Sequence, residues 1–349
     1  MRAAVYQPGG AVVLEERDVP APGPGEVLVA MRACGICGSD LMRWYVEPRA
    51  PLVLGHEPVG EVVAAGEAVE APLPEVGARV FVHHHVPCGE CELCRRGRDT
   101  LCETFKATRI HPGGFSERIL VPAENAARDL LVVPESVSDA AATLIEPLAC
   151  CVRGLRRAKV GRETRLLVIG GGQMGLLTAL GGLAAGAKVA VAEPLAERRA
   201  LAAALGAAVI DPMAPAGGNG PLPAATADAI SSALGGRPTV VMLATGAAAA
   251  WELALSAADK GAVVQLFAPS GPGESRAFDV DDVFFRELEI QASYSAGPHD
   301  TRFALQLIAG GAVPAERLVT HRFPLERTEE ALAAARSREG VKVNVTSSA

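Results

Sequence analysis

The sequence predicts an α/β protein in which a doubly wound parallel sheet is inserted into a mostly β domain, and three observations carry that expectation. Up to about residue 150, short apolar runs alternate with turns rich in glycine and proline. From Arg165 an apolar run leads into a glycine turn, a helical stretch and a second strand. Strands and helices then alternate to about Phe285, after which strand-like runs return. At 349 residues the chain is long enough for two cores, and 49% apolar against 21% charged residues suits a globular protein.

The first runs are Ala3 to Tyr6, Val12 to Leu14 and Val27 to Ala30, cut by Gly9-Gly10 and by Pro20, Pro22, Gly23, Pro24 and Gly25. Gly60 to Ala65, Arg79 to Val82, Phe115 to Val121 and Leu131 to Val133 continue the series. β-Strands of a small barrel or sheet follow from this punctuation. At Asp139 the period turns helical and runs through Glu146 towards Arg157, leading into a new domain.

Arg165 to Ile169 suits a buried parallel strand, and Gly170-Gly171-Gly172-Gln173-Met174-Gly175 follows at once. A helix from Leu176 to Ala185 and a strand from Lys188 to Ala192 end at the acid Glu193. An acid at about 20 residues past such a turn completes a dinucleotide-binding fingerprint. The glycines let backbone N–H groups approach a pyrophosphate at the helix N-terminus. Gly170, Gly172, Gln173, Met174, Gly175, Glu193 and Arg198 are therefore the candidate cofactor residues. The Glu193 carboxylate would bind both ribose hydroxyls and repel a 2′-phosphate, which favours NAD; Arg198 and Arg199 belong more naturally to a solvated helix face.

A helix from Glu197 to Leu205, strand Ala208 to Ile210, a loop from Asp211 to Thr226, and strands Thr239 to Leu243 and Ala262 to Leu266 around helix Ala247 to Ala258 extend the sheet. Leu288 to Tyr294, a helix from Asp300 to Gly310, Glu329 to Arg336 and Val341 to Val345 form a tail expected to rejoin the first domain. The expected division is 1–150 with 288–349 for one domain and 151–287 for the other.

Two clusters carry metal chemistry. Cys88, Cys91, Cys94 and Cys102 place four thiols on one lobe, at about 83–104. Four thiolates suffice for a closed tetrahedral zinc that stabilises a loop lacking its own core. Cys37-Gly38-Ser39-Asp40 and Gly55-His56-Glu57 bring a thiol, an imidazole and a carboxylate near glycines, donors suited to a zinc with one open position. The run His83-His84-His85 invites a metal reading too, but alternating strand faces would turn its middle member away, so it is read as the strand entering the lobe.

The segment Gly55 to Gly60, continuing to Gly66 and Val69, resembles the signature of zinc alcohol dehydrogenases in the medium-chain dehydrogenase/reductase superfamily. With Cys37 to Asp40, the four-cysteine lobe, Ile145-Glu146-Pro147-Leu148 and the glycine turn, the resemblance covers nearly the whole chain and is greatest to the sorbitol, butanediol and threonine dehydrogenase branch. It implies a GroES-like catalytic domain, a Rossmann domain, two zincs per subunit, and a homodimer or homotetramer. It implies Cys37 and His56 as catalytic zinc ligands, and allows either Glu57 or Glu146 to bind the metal directly or through its water. Asp40 resembles a carboxylate that orients the histidine, and Ser39 the hydroxyl that takes the alcohol proton. In many relatives a histidine three positions after that hydroxyl passes the proton on, and Met42 stands there instead, so the proton exit must differ. Lys342 resembles a basic residue near the chain end that approaches the cofactor or the glutamate. Cys34, Cys150 and Cys151 match no ligand and read as buried bystanders.

The function so implied is transfer of a hydride from a secondary alcohol, with a polyol or vicinal diol as substrate, to NAD. A threonine-type or sugar-phosphate dehydrogenase is the alternative among enzymes, and a non-catalytic zinc and NAD(H) binder the alternative outside them. Trp44, Tyr45, Arg109 and His111 are candidates for the substrate pocket from proximity in sequence. A net charge of -7 argues against a grip on nucleic acid. The absence of a long apolar run argues against a membrane span, and without a secretory signal the expected compartment is the cytoplasm.

Overall fold

The computed structural model describes residues 1–68, 73–213 and 222–347. It separates into two compact units, Met1–Ala149 with Ala296–Ala349, and Cys150–Ser295. Val69 of the signature segment lies outside the described residues.

In the first unit a seven-stranded sheet holds strands Val319–Pro324, Lys342–Thr346, Val27–Gly35, Glu57–Ala65, Arg79–Val82 and Leu130–Val132 in that spatial order, with Arg118–Val121 also on Val27–Gly35. A smaller antiparallel sheet sets Arg2–Tyr6 between Val12–Glu16 and Leu52–Val53. Val5, Val27, Val29, Val62, Phe115, Ile119 and Val345 are fully buried in one core. Val27–Gly35 is apolar except for Arg32 and buried at every residue but Ala30 and Arg32, so both faces of the strand are covered. Its last residue is paired with Glu57 on one side and Asn344 on the other. Gly35 is required there: a Cβ would collide with Glu57 Oε2 and Lys342 Nζ. The missing side chain leaves the space in which those two groups meet.

In the second unit six parallel strands run in the order Ala208–Ile210, Lys188–Ala192, Arg165–Ile169, Val240–Leu243, Val263–Leu266 and Glu289–Ala292. The strand order reverses between Arg165–Ile169 and Val240–Leu243, and ligands of such sheets bind at that switch point. Leu166, Leu167, Val168 and Val241 are wholly buried, as expected for strands covered on both faces.

Three expectations need correction. The second unit extends to Ser295 rather than stopping at 287, because Glu289–Ala292 pairs in parallel with Val263–Leu266 and completes its sheet. The helical stretch from Asp139 is two helices, Asp139–Ala142 and Ile145–Arg157. The segment read as a loop to Thr226 already turns helical at Leu222; residues 214–221 of it lie outside the described residues.

Candidate active site

The short 3-10 helix Gly38–Leu41 positions the first metal donor. Asp40 closes it by accepting the Cys37 N–H at Oδ2 (3.0 Å), and the Asp40 N–H returns a bond to Cys37 O (3.1 Å). The other oxygen of the same carboxylate lies 3.3 Å from His56 Nδ1. One buried carboxylate thus fixes the thiol and the ring together and leaves His56 Nε2 as the donor nitrogen. Burial favours the neutral ring, but Asp40 and Cys37 outweigh it and hold the metal-free His56 well above its ordinary pKa. Gly55, at φ +86°, delivers His56; a Cβ there would strike Phe115 and Cys34.

Glu57 follows on the strand edge. It is fully buried and ion-paired through Oε2 with Lys342, whose Nζ also donates to Ile36 O (3.3 Å). Burial pushes Glu57 above the usual carboxylate range, and Lys342 and His56 draw it only partly back. Its Oε1 is buried without a hydrogen-bond partner. Ligand atoms of Cys37, His56 and Glu57 lie within 4.8 Å of one another. A thiolate, an imidazole and an orphaned carboxylate oxygen fit a three-ligand zinc with an open position. Lys342 is no surface lysine: its side chain is wholly buried against this carboxylate.

Glu146 lies elsewhere in the constellation. It is near enough to Glu57 to raise that group's pKa, but its ligand atom converges with His83 and His84. Strand Arg79–Val82 ends before His83, so the expected alternation does not apply. His83 Nδ1 turns to Asp129 (2.7 Å), His85 Nδ1 to the Thr108 carbonyl, and the His84 ring approaches His56, with centroids 4.9 Å apart. Burial, with the neighbouring His85 and His56, pushes His84 well below its ordinary pKa and keeps it neutral. The reading of His84 as turned away is therefore wrong, and only the end of the strand period at Val82 could have signalled it.

Ser39, half-buried, stands two residues from Cys37 on the same short helix. Cys34 is fully buried, and burial raises its thiol far from reactivity. Trp44 and Tyr45 are 45% and 41% exposed, with Arg49 stacked 4.0 Å over the Tyr45 ring. Arg109 and His111 are exposed as well.

In the cysteine lobe, Cys88 Sγ lies 3.9 Å from Cys94 and 3.5 Å from Cys102, and Cys91 lies 3.5 Å from Cys94. Tetrahedral zinc at about 2.3 Å from each sulfur requires edges of roughly 3.8 Å. Disulfides would bring sulfurs to about 2.05 Å. Burial opposes the Cys102 thiolate, but the N–H groups of Cys88 and Phe105 outweigh it and bring its pKa to about 6.

In the second unit Gly170, at φ +103°, turns the chain from its strand into helix Gln173–Ala184. A Cβ on Gly175 would strike Gly170 O, so helix and strand meet only through glycine. Glu193 accepts from Gly171 N (2.5 Å) and Leu195 N (2.9 Å), and Gln173 Nε2 is buried without a partner. Arg199 is engaged by Asp211 (2.8 Å) and by the Glu193 carbonyl (2.8 Å). Arg198 borders the glycine turn: a Cβ on Gly172 would lie 3.7 Å from its Nη1.

Two family models match the chain, an alcohol dehydrogenase GroES-like domain over residues 23–134 and a zinc-binding dehydrogenase over residues 174–310. L-galactonate-5-dehydrogenase of Escherichia coli K12 is 32% identical over 337 residues, covering 95% of this chain and 94% of the relative. The chain belongs to the zinc-dependent medium-chain alcohol dehydrogenase superfamily. Sorbitol dehydrogenase of Gallus gallus is 32% identical over 350 residues, 98% of this chain and 95% of that one. Among solved structures, a zinc-binding dehydrogenase from Sinorhizobium meliloti bound to NADP superposes with a TM-score of 0.84 at 30% identity, covering 99% of this chain and 98% of that one. An alcohol dehydrogenase from E. coli CFT073 complexed with NADH gives 0.84 at 28%, covering 99% of each. The chain is accordingly a zinc-family oxidoreductase working with a nicotinamide cofactor, and its α/β architecture is the GroES-like and Rossmann pair that the resemblance implied. Among the described residues, no helix is long and apolar enough to cross a membrane.

Proposed function

We propose that the protein is an NAD-linked dehydrogenase of secondary alcohols, with polyols or vicinal diols as substrates and a ketone as product. The observation that carries the reading is the convergence of Cys37, His56 and Glu57 around Asp40 and Lys342. When bound, zinc supplies a Lewis acid that makes an alcohol hydroxyl acidic near neutral pH, and NAD supplies the hydride acceptor. Cys37, His56 and Glu57 hold the catalytic zinc. Asp40 keeps His56 in the tautomer that ligates, and Lys342 holds Glu57 with Oε1 free. Ser39 takes the hydroxyl proton. The four-cysteine lobe holds a second, structural zinc.

NAD is favoured over NADP because the buried Glu193 carboxylate stands at the glycine turn, where it would repel a 2′-phosphate, and Arg199 is already paired with Asp211. Two relatives named for polyhydroxy substrates, L-galactonate and sorbitol, support a polyol. The cytoplasm suits eight cysteines of which none forms a disulfide. Exposed Val280, Phe284 and Phe285, beside an edge strand of the nucleotide-binding sheet, support a homo-oligomer.

The test is NADH absorbance with a panel of polyols, butanediol and threonine, each with NAD or NADP, before and after chelation. Chelator-sensitive turnover of a polyol with NAD is the expected result. Tight NADH binding without turnover of any panel member would overturn the enzymatic reading.

A further inference from the structure

We propose that His83, His84 and Glu146 form an additional metal position, adjoining the Cys37 centre and built to take a borderline divalent ion such as zinc without any thiolate. Ligand atoms of the three residues lie within 4.8 Å of one another. His83 is wholly buried, and its Nδ1 faces Asp129 Oδ2 at 2.7 Å. Asp129 is itself held: Thr301 Oγ1 donates to its two oxygens at 2.9 and 2.8 Å. Asn125 Nδ2 fixes the His83 carbonyl at 2.9 Å. A carboxylate that takes the Nδ1 proton leaves the Nε2 lone pair for a metal, the device by which ligating histidines are set. Asp40 treats His56 in the same way at the neighbouring centre.

His83 Nε2 and His84 Nδ1 are both buried without a hydrogen-bond partner. Buried polar atoms are rarely left so, and two such nitrogens beside a buried carboxylate are explained together by one ion. Two imidazoles and one carboxylate suit zinc, cobalt or ferrous iron, with positions left for water or a substrate oxygen. The 4.9 Å separation of the His84 and His56 rings makes the two positions neighbours. A diol or hydroxy acid could then be gripped by a second oxygen. The proposal does not rest on the reaction assigned above; it needs only the folded chain.

The zinc content of wild-type protein refolded or purified in excess zinc, then gel-filtered, is the decisive measurement. About three zincs per chain are expected, falling to two in His84→Asn and in His83→Asn. Adding cobalt(II) to protein carrying zinc in both thiolate sites should produce visible d–d bands without the near-ultraviolet thiolate charge-transfer band. Cys37→Ser should lose one zinc and retain this cobalt signal, which separates failure of the catalytic reading from failure of this one. Two zincs in the wild type with no cobalt uptake beyond them would overturn the proposal, whatever the variants do. So would cobalt that displays thiolate charge transfer sensitive to His84→Asn, since His84 would then be a ligand of the Cys37 ion.

Discussion

Replacing Lys342 by methionine tests the architecture of the catalytic centre most directly. Lys342 and Glu57 are both fully buried and ion-paired with each other. Methionine keeps the length and apolar character of the stem but removes the cation, leaving Glu57 as a buried acid beside an unpaired Ile36 carbonyl. Breaking one side of such a pair costs about 3–5 kcal/mol. At about 2–4 °C per kcal/mol for a unit of this size, the unfolding midpoint should fall by about 6–20 °C. Lys342→Met with Glu57→Gln removes both charges and should recover most of that loss, so the coupling between the two changes is strongly favourable. The assay is thermal or denaturant unfolding followed by circular dichroism, at zinc saturation and again after dialysis against a weak chelator. The loss in Lys342→Met should be larger after dialysis, because protonated His56 is then the cation left to draw the Glu57 pKa down, and it does so only partly. A single variant that shifts stability by less than about 0.5 kcal/mol, the range of ordinary surface changes, would refute the reasoning.

Other outcomes follow from the same geometry. Cys91→Ser removes a ligand of the four-sulfur cluster and should lower stability and zinc content together, whereas Cys37→Ser should abolish turnover with the circular dichroism spectrum retained; unfolding curves and zinc assays on the two variants check both. Asp40→Asn weakens the grip on His56 and should cost about 10–100-fold in affinity for the catalytic zinc, read by competition with a chelator of known affinity. Glu193→Ser should raise KM for NAD and improve use of NADP relative to NAD, with both ratios read from initial rates.

The parts legible in the sequence are those set by local rules. The glycine turn, its flanking strands and the acid at Glu193 form a contiguous unit in which Gly170, Gly171 and Gly175 each have a steric reason, so the order of elements alone exposed it. The four cysteines fall within one lobe, and their spacing sufficed to group them. Other features required contacts across long separations. Lys342 reaches Glu57 over 285 positions, through a space that Gly35 leaves open; the resemblance allowed Lys342 either the cofactor or the glutamate, and no local pattern around His56 chose between them. The boundary near residue 288 was misplaced because Glu289–Ala292 reads as one more β run, and only its parallel partner assigns it to the nucleotide-binding sheet.

The histidine run shows how such an error arises and why it matters for chemistry. A period of two applies only while the chain remains a strand, and here the strand ends at Val82, one residue before the run begins, with a single long bond from His83 N to Asp129 O (3.4 Å) beyond it. From there each ring is placed by its own anchor: Asp129 for His83, the Thr108 carbonyl for His85, and the neighbourhood of His56 for His84. The two carboxylates left open by sequence reasoning are separated by the same geometry. Glu57 shares the Cys37 and His56 donors and spends one oxygen on Lys342, while Glu146, carried on helix Ile145–Arg157, meets the two histidines instead. A Glu57→Gln substitution and a Glu146→Gln substitution should therefore deplete different ions. Loss of the cobalt–thiolate band near Cys37 is expected from the first, and its retention from the second. Identical spectra for the two would show that both acids serve a single metal.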